Sequence, residues 1–459
     1  MLHEEISGGL LLSKSHHRVH RVIQNIKYIS LKLRHIIFRR LGYLLLGIAL
    51  AFPPSARSQA ASARPGALLI GYRDGRSITQ ARVALPSDVL IEAQIGPGSF
   101  ALRVPAGAEV RFLARLAALP GVAYAQLDHQ VVAQALPDDP RYAEQWNMAR
   151  IGMPAAWDVI TDTTSVVIAT LDTGIKLDHP DLRSQLWHNA AEIPNNGRDD
   201  DHNGYADDLN GWHFYQSFSG GQAIPGQNAD VEDRNGHGTN VAGVIAAAGN
   251  NTIGVAGIAW HARLMPVRVL DDDGLGWESD IIEGLSYATA NGARVINMSL
   301  GLSEPSPALA DAVARADAQG VLIVAAAGND GGAVLYPAAY PTVLSVGASD
   351  QDDRRASFSA QGARLDLLAP GVNVLSTWNG VPYFLRSGTS IAAPHVAGVA
   401  GLLMAHMPGI SVAQARTCLL RSATDLGAPG WDAQTGWGRL NAAHVLQGCP
   451  PNIYMPIIY

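Results

Sequence analysis

The sequence predicts an α/β protein built on a doubly wound, mainly parallel sheet with helices on both faces, preceded by a small α+β unit. Short β-branched runs at residues 166–171, 264–269, 295–298, 321–326 and 343–346 are apolar on both faces, as strands covered from two sides must be. Helix-like stretches at 238–248, 279–291 and 307–319 fall between those runs, and such alternation implies parallel crossover connections. The 459 residues, 47% hydrophobic and 16% charged, exclude global disorder. At roughly 100 to 200 residues per domain, the chain has room for two or three. In a sheet of this kind, functional side chains gather at the carboxyl ends of the strands.

Residues 1–60 hold nine Lys/Arg against two acids (+7), residues 61–136 seven against five (+2), and residues 137–459 seventeen against 33 (−16), which sum to the formal −7. Lys176 is the only lysine of that last segment. So acidic a main body argues against nucleic acid and fits a secreted or cation-binding protein. Within the leader, 1–60, the apolar run 41–52 follows Arg39 and Arg40 and precedes Ser55, Ala56, Ser58 and Ala60. Basic region, short apolar core and small-residue exit are the layout of a secretory signal, too short to span a bilayer comfortably. Forty residues precede that core, more than a signal's basic region needs. An initiation codon placed too early explains them; the alternative is a surface-active helix carrying Ile23, Ile26, Leu33 and Ile37. Phe38-Arg39-Arg40-Leu41 is only faintly similar to a twin-arginine export signal.

Residues 66–132 form the small unit. Strands are expected at 67–72 and 99–104, a helix at 109–118 with Val110, Leu113 and Ala117 along its apolar face, and a closing strand at 122–127. Pro137, Asp138, Asp139 and Pro140 then punctuate the chain and open the main domain, 137–447. The tail, 448–459, is apolar towards its end, from Ile453 to Tyr459, which fits an edge strand or a sorting segment. Cys418 and Cys449 are the only cysteines, which excludes a disulfide-dense scaffold and a zinc site of clustered thiolates. In an exported protein they are candidates for a bridge worth about 3 to 4 kcal/mol in the chain-entropy picture; two buried thiols are the alternative.

Three segments of the main domain carry chemistry. Leu171-Asp172-Thr173-Gly174 places an acid at the end of a buried strand, Asn235-Gly236-His237-Gly238-Thr239 an imidazole at the start of an Ala/Val-rich helix, and Ser387-Gly388-Thr389-Ser390-Ile391-Ala392-Ala393-Pro394-His395 a hydroxyl at the head of another. Singly, an Asp after a strand is usually a turn residue, a Ser before a helix usually a cap, and a lone His usually surface or core. Together they are the parts that make a weak oxygen nucleophile reactive near neutral pH.

In their order and local sequence these motifs resemble those of the subtilisin-like serine proteases, the subtilases, over about residues 137–447. Asp172, His237 and Ser390 follow the subtilisin order. The stretch from Gly388 through Gly398 is a highly specific signature, and Pro137-Asp138-Asp139-Pro140 with Pro154-Ala155-Ala156-Trp157 leans towards the thermitase-like branch. The resemblance implies an acyl-enzyme on Ser390, His237 as general base and acid, Asp172 orienting it, and an oxyanion hole from the Asn329 amide and the Ser390 N–H. It makes Ser299, Leu300 and Gly301, with Ala326, Ala327 and Gly328, the walls of the substrate cleft, whose small residues leave a wide pocket and broad specificity with an apolar preference. The competing reading is that those glycines merely end strands. The unit at 66–132 is similar to the family's propeptide, an intramolecular inhibitor cut off near residues 135–137. A secreted monomer acting on polypeptides, with no nucleic-acid partner, is the expectation. A non-catalytic peptide-binding module or an inert structural domain on the same fold is the rival.

Calcium is expected at two places. Asp199, Asp201 and Asn203 alternate, with Gly204 for a turn and the Tyr205 carbonyl following, which imitates the start of an EF-hand loop without its closing Glu. The resemblance adds the side chains of Asp139, Asp181 and Asn251 and the carbonyls of Gly249, Ile253 and Val255. Two residues depart from the family pattern: Asn240 stands where a second His is common, and Ile391 where Met is usual.

Overall fold

The computed structural model describes residues 63–129, 136–215, 217–219, 222–224 and 227–449. The leader and residues 450–459 lie outside these. Contacts divide the chain into two compact units, one ending at Val131 and one beginning at Val132.

The first unit runs β1 (Ala63–Tyr72), α1 (Ile78–Ala84), β2 (Leu90–Gly96), β3 (Ser99–Arg103), α2 (Glu109–Ala117) and β4 (Val122–His129), its antiparallel sheet in the order β2-β3-β1-β4. Leu68 and Ile70 of β1 alternate inward beside Phe100 and Leu102 of β3, and α2 covers them with Phe112 and Leu116. Of the expected stripe of α2, Leu113 packs against this core at its margin, but Val110, 77% exposed, and Ala117 do not. The sheet takes the bulkier i, i+4 pair, because area removed from water sets the gain. Two elements were not expected. Edge strand β2 is mostly exposed and shows no inward alternation, and α1 buries only Ala81, its start fixed by a Ser77–Gln80 capping box.

The second unit opens with a 3₁₀ turn (Tyr142–Glu144), α3 (Trp146–Arg150) and α4 (Met153–Trp157), and continues through β5 (Asp162–Asp172), β6 (Trp212–His213), β7 (Ser217–Ser219), β8 (Gln222–Ile224), α5 (His237–Ala246), β9 (His261–Arg268), α6 (Glu278–Ala290), β10 (Ala293–Met298), α7 (Pro307–Ala318), β11 (Leu322–Ala326), β12 (Val343–Ser349), β13 (Leu367–Pro370), β14 (Val374–Thr377), β15 (Tyr383–Arg386), α8 (Thr389–His406), α9 (Val412–Arg421) and α10 (Ala442–Gly448). Seven strands form one parallel sheet in the order β13-β12-β11-β10-β5-β9-β6.

Both faces of that sheet are buried, as its β-branched runs require. Val166 and Ile168 of β5 face a core shared with α5 and α8, while Val167, Ala169 and Leu171 face a second core with α6 and α7. From β5 the sheet grows through β9 in one direction and through β10 in the other. The carboxyl end of β5, where Asp172 stands, is thus the switch point at which a doubly wound sheet opens a crevice. Cys418 of α9 and Cys449 are joined in a disulfide. Among the described residues no helix is long and apolar enough to cross a membrane.

Candidate active site

Asp172 ends β5 fully buried, and Gly174 lets the chain turn away at once. Gly174 has φ +105, and a Cβ there would stand 2.4 Å from the Val231 carbonyl oxygen, so no other residue fits. His237 opens α5, its Nδ1 2.7 Å from Asp172 Oδ1. A carboxylate only accepts, so Nδ1 carries the proton and Nε2 is left as the base. Asp172 Oδ1 also accepts from the Thr173 N–H at 2.8 Å.

Asp233, absent from the sequence reading, builds the turn that delivers this imidazole. Buried to 3% exposure, it accepts from Thr173 Oγ1 at 2.9 Å and from the backbone N–H groups of Asn235, Gly236 and Thr239 at 2.9, 2.8 and 2.9 Å. Thr173 Oγ1 in turn accepts from the Gly238 N–H at 2.9 Å. The acid strand and the head of the histidine helix are therefore locked through one carboxylate. An Asp four residues ahead of a helix start, in Asp233-Arg234-Asn235-Gly236, was the available signal.

Ser390 sits in the first turn of α8, which continues Thr389–His406 although Pro394 lies inside it. Proline has no N–H for the carbonyl four residues back, and that carbonyl belongs to Ser390. Ser299 Oγ donates to it at 2.7 Å and itself accepts from Asn297 Nδ2 at 3.0 Å. One predicted wall residue thus braces the serine through the bond that the proline gives up. Thr389, part of the serine motif but given no role by the sequence, orients the amide: its N–H and Oγ1 donate to Asn329 Oδ1 at 2.8 and 3.0 Å, and Oγ1 accepts from the Gly328 N–H at 3.1 Å. The Asn329 Nδ2 is left for the cleft. A Cβ on Gly388 would stand 3.0 Å from Ser390 Oγ and 3.6 Å from Asn329 Nδ2, so hydroxyl and amide converge on one point that only glycine leaves open.

The two halves of the site meet through β14. Asn240 is buried, its Nδ2 donating to the Thr377 carbonyl at 2.9 Å, while Ser376 Oγ and Thr377 Oγ1 donate to the carbonyls of Asn240 and Thr239 at 2.8 and 2.6 Å. The amide that replaces the family's second His therefore ties α5 to the hairpin leading to Ser390. Behind the serine, His395 Nδ1–H donates to the Ile391 carbonyl at 3.0 Å and its Nε2 accepts from Asn147 Nδ2 at 2.8 Å; burial pushes its pKa down to about 4, so it stays neutral.

Of the predicted walls, Ser299 and Ala326 are buried at 6% exposure and Ala327 at 0%, while Leu300 is half-buried and Gly301 exposed. Gly301 and Gly328 face a residue the sequence did not single out: a Cβ on either would come within 2.9 and 2.8 Å of the Leu335 side chain. Leu335 therefore packs close to both wall segments.

Ile391 is packed at 1% exposure with Val244 and Val374. A thioether there would oxidise to a polar sulfoxide beside the nucleophile; a branched alkane does not. Activity should survive dilute peroxide, and Ile391→Met should lose it on the same exposure. Rapid loss in the parent protein with Ser390 unmodified would refute this.

The acidic loops differ in how they are built. Asp139 and Asp181 lie at 4% and 0% exposure around the loop from Gly249 to Val255. The N–H groups of Asn250 and Asn251 reach Asp139 at 2.7 and 3.4 Å, and Asn251 Nδ2, the Val255 N–H and Tyr383 OH reach Asp181 at 2.9, 3.2 and 2.9 Å. Burial, with Asp181 close by, raises the pKa of Asp139. Neither carboxylate has a Lys or Arg partner among the described residues. Asn250, Thr252 and Gly254 all adopt left-handed backbone (φ 56, 62 and 45°), which is strained for a β-branched threonine. Two buried carboxylates beside a strained loop fit a bound cation.

In the second loop, both Asp199 oxygens accept from its own backbone, the N–H groups of Asn203 and Gly204 at 3.0 and 2.8 Å. Tyr205 packs on Trp212, Phe214 and Tyr287, and Asn203 Nδ2 bridges Asp201 and Asp208 at 3.2 and 3.1 Å. The carboxylates that cluster are Asp201, Glu192 and Asp208, with ligand atoms within 4.8 Å of one another. That group could hold a metal ion. Glu192 and Asp208 were missed because the EF-hand comparison stops at alternate positions, whereas this cluster closes across the loop.

The fold and this site define a serine endopeptidase of the subtilisin type. Residues 163–438 match the Subtilase family, and the chain belongs to it. Among its relatives, the alkaline protease of Alkalihalobacillus alcalophilus is 41% identical over 312 residues, 67% of this chain and 70% of the relative. Subtilisin Savinase of Lederbergia lenta is 43% identical over 284 residues, 62% of this chain and 92% of the relative. Subtilisin E of Bacillus subtilis (strain 168) is 38% identical over 315 residues, 67% and 72% respectively.

Proposed function

We propose that the chain is a secreted, calcium-stabilised endopeptidase made as a proenzyme, cleaving polypeptides through an acyl-enzyme on Ser390. His237 Nε2 takes the Ser390 proton as the hydroxyl attacks the peptide carbonyl and gives it to the departing amine; Asp172 holds the tautomer and offsets the imidazolium charge. The Asn329 Nδ2 and the Ser390 N–H stabilise the oxyanion. The observation that carries this reading is the convergence of Ser390 Oγ and Asn329 Nδ2 on Gly388, with the Asn329 oxygen already occupied by Thr389. A serine-directed fluorophosphonate should label Ser390 one to one and stop hydrolysis in proportion. Labelling elsewhere, or none, would leave a binding module.

Leu335 between Gly301 and Gly328 supports an apolar preference before the scissile bond, with room for side chains of moderate size. Asp139, Asp181 and Asn251, with the carbonyls of Gly249, Ile253 and Val255, would hold one calcium ion, and Asp201, Glu192 and Asp208 a second; calcium there supplies charge compensation and loop rigidity, not chemistry.

The pH profile follows from His237. Burial disfavours the imidazolium, but the Asp172 carboxylate outweighs it and raises the pKa. The neutral imidazole is the working base, so kcat/KM should fall as pH drops through a value above the roughly 6.5 of a free imidazole. An acid limb below that value would contradict the pairing. The first unit acts as the propeptide, assisting folding and restraining the enzyme; protein lacking residues 61–136 should regain little activity from denaturant, and ready refolding would remove that role.

A further inference from the structure

We propose that Arg386 selects acidic side chains in the first two residues after the scissile bond. The inference rests on the serine-peptidase reading and deepens it. Arg386 ends β15, four positions before Ser390. Among the described residues it has no carboxylate partner, although residues 137–459 carry nearly twice as many acids as bases. Its guanidinium is not adrift: it lies over the Trp378 ring, 5.1 Å from the centroid, a cation–π arrangement that restrains the side chain. Trp378 packs in turn on Phe384, ring centroids 5.4 Å apart.

The same indole abuts the histidine's own turn. A Cβ on Gly236 would stand 2.6 and 2.7 Å from Trp378 Cε2 and Cζ2, and Gly236 directly precedes His237. Guanidinium, indole, glycine and imidazole are thus in sequence, and the charge of Arg386 registers on His237 by opposing its protonation.

Which part of the substrate meets this edge follows from the chemistry. Asn329, Thr389 and Ser299 brace the serine and its oxyanion, so the acyl portion lies with them. The expelled amine takes its proton from His237, so the departing segment lies with His237 and what flanks it. Arg386 is a fixed, unpaired cation on that edge. A carboxylate on the departing segment can accept charge-assisted hydrogen bonds from it, whereas an ammonium group there meets a like charge. Val381, Phe384 and Leu385 of the same hairpin are 46 to 52% exposed, leaving the hairpin open to a peptide.

The test uses the mature enzyme and quenched fluorescent peptides that differ only in Asp, Ala or Lys at the first or second position after the cut, with the cut verified by product mass. The kcat/KM ratio of Asp to Lys peptides is formed within each variant, so a general change in activity cancels. The parent enzyme should favour Asp by about tenfold at one of the two positions, less in high salt. Arg386→Gln should bring the ratio close to one, Arg386→Glu should invert it, and Arg386→Lys should restore part of it. A parent ratio within about twofold of one at both positions, or a ratio that survives Arg386→Gln, overturns the assignment. Cleavage without acidic preference removes this inference alone; no cleavage of any peptide, with no fluorophosphonate label on Ser390, removes the serine-peptidase reading beneath it.

Discussion

Ser390→Ala should lower kcat for peptide hydrolysis by about a millionfold, the scale found for subtilisin's serine, and Asp172→Asn by about ten-thousandfold, the scale found for the same change in the chymotrypsin-type triad. The two losses have different causes. Without the hydroxyl there is no acyl-enzyme, and only the polarising donors act on a water. With Asn at 172 the nucleophile remains, but an amide can present its NH₂ to His237 Nδ1, favouring the tautomer whose Nε2 already carries a proton and cannot accept one from Ser390. Asn329→Ala should cost a hundred- to thousandfold in kcat with little change in KM, again the scale found in subtilisin, because that donor serves a charge present only in the transition state. Active-site titration with the fluorophosphonate separates true kcat from misfolded protein where Ser390 and its base remain, as in Asn329→Ala; for the other variants circular dichroism and melting temperature serve. These residues act as one unit, so Ser390→Ala/His237→Ala should be hardly worse than Ser390→Ala alone. Turnover by Ser390→Ala within a hundredfold of the parent would move the chemistry to another residue.

Asp233→Asn is the informative counterpart away from the reacting atoms. Asp233 is buried; it gathers the N–H groups of Asn235, Gly236 and Thr239 around the turn before His237. An amide with one acceptor oxygen cannot satisfy that set, so the imidazole should be held less firmly against Asp172, lowering kcat more than it raises KM.

Why some of this was legible from the chain and some was not can be read from particular residues. The parallel sheet was legible because β5, β9, β10, β11 and β12 each contain a run buried on both faces and therefore mainly apolar; β6 and β13, two and four residues long, offer no period to detect. Asp172, His237, Ser390 and Asn329 were legible because each stands in a local motif. Asp233, Thr389 and Leu335 were not, because what they do depends on partners brought together by folding. Leu335 meets Gly301 and Gly328 across a cleft wall, and nothing near position 335 announces it. The acidic loops divide the same way. The residues around 139, 181 and 249–255 came through the resemblance, whereas the Glu192–Asp201–Asp208 cluster depends on a chain reversal.

Chelation should therefore destabilise the main domain markedly. In the loop from Gly249 to Val255, removing the ion leaves Asp139 and Asp181 buried near one another without a cation, and the left-handed Thr252 loses what holds it. A ligand that binds only the folded state stabilises by about 3 to 4 kcal/mol when present at a hundred to a thousand times its dissociation constant. For a domain this large that corresponds to roughly 5 to 15 °C in melting temperature. Fluorophosphonate-blocked enzyme should be used, so that self-digestion does not mimic unfolding. Excess EDTA should lower the melting temperature by that amount and added calcium should restore it. Asp181→Ala should remove most of the calcium-dependent increment if the 249–255 loop dominates, and Asp208→Ala if the second cluster does; the two variants apportion the effect because the sites share no residue. A melting temperature unmoved by EDTA in the blocked enzyme would remove both sites at once, and the buried pair of carboxylates would then have to be stable through protonation of Asp139, whose pKa burial already raises.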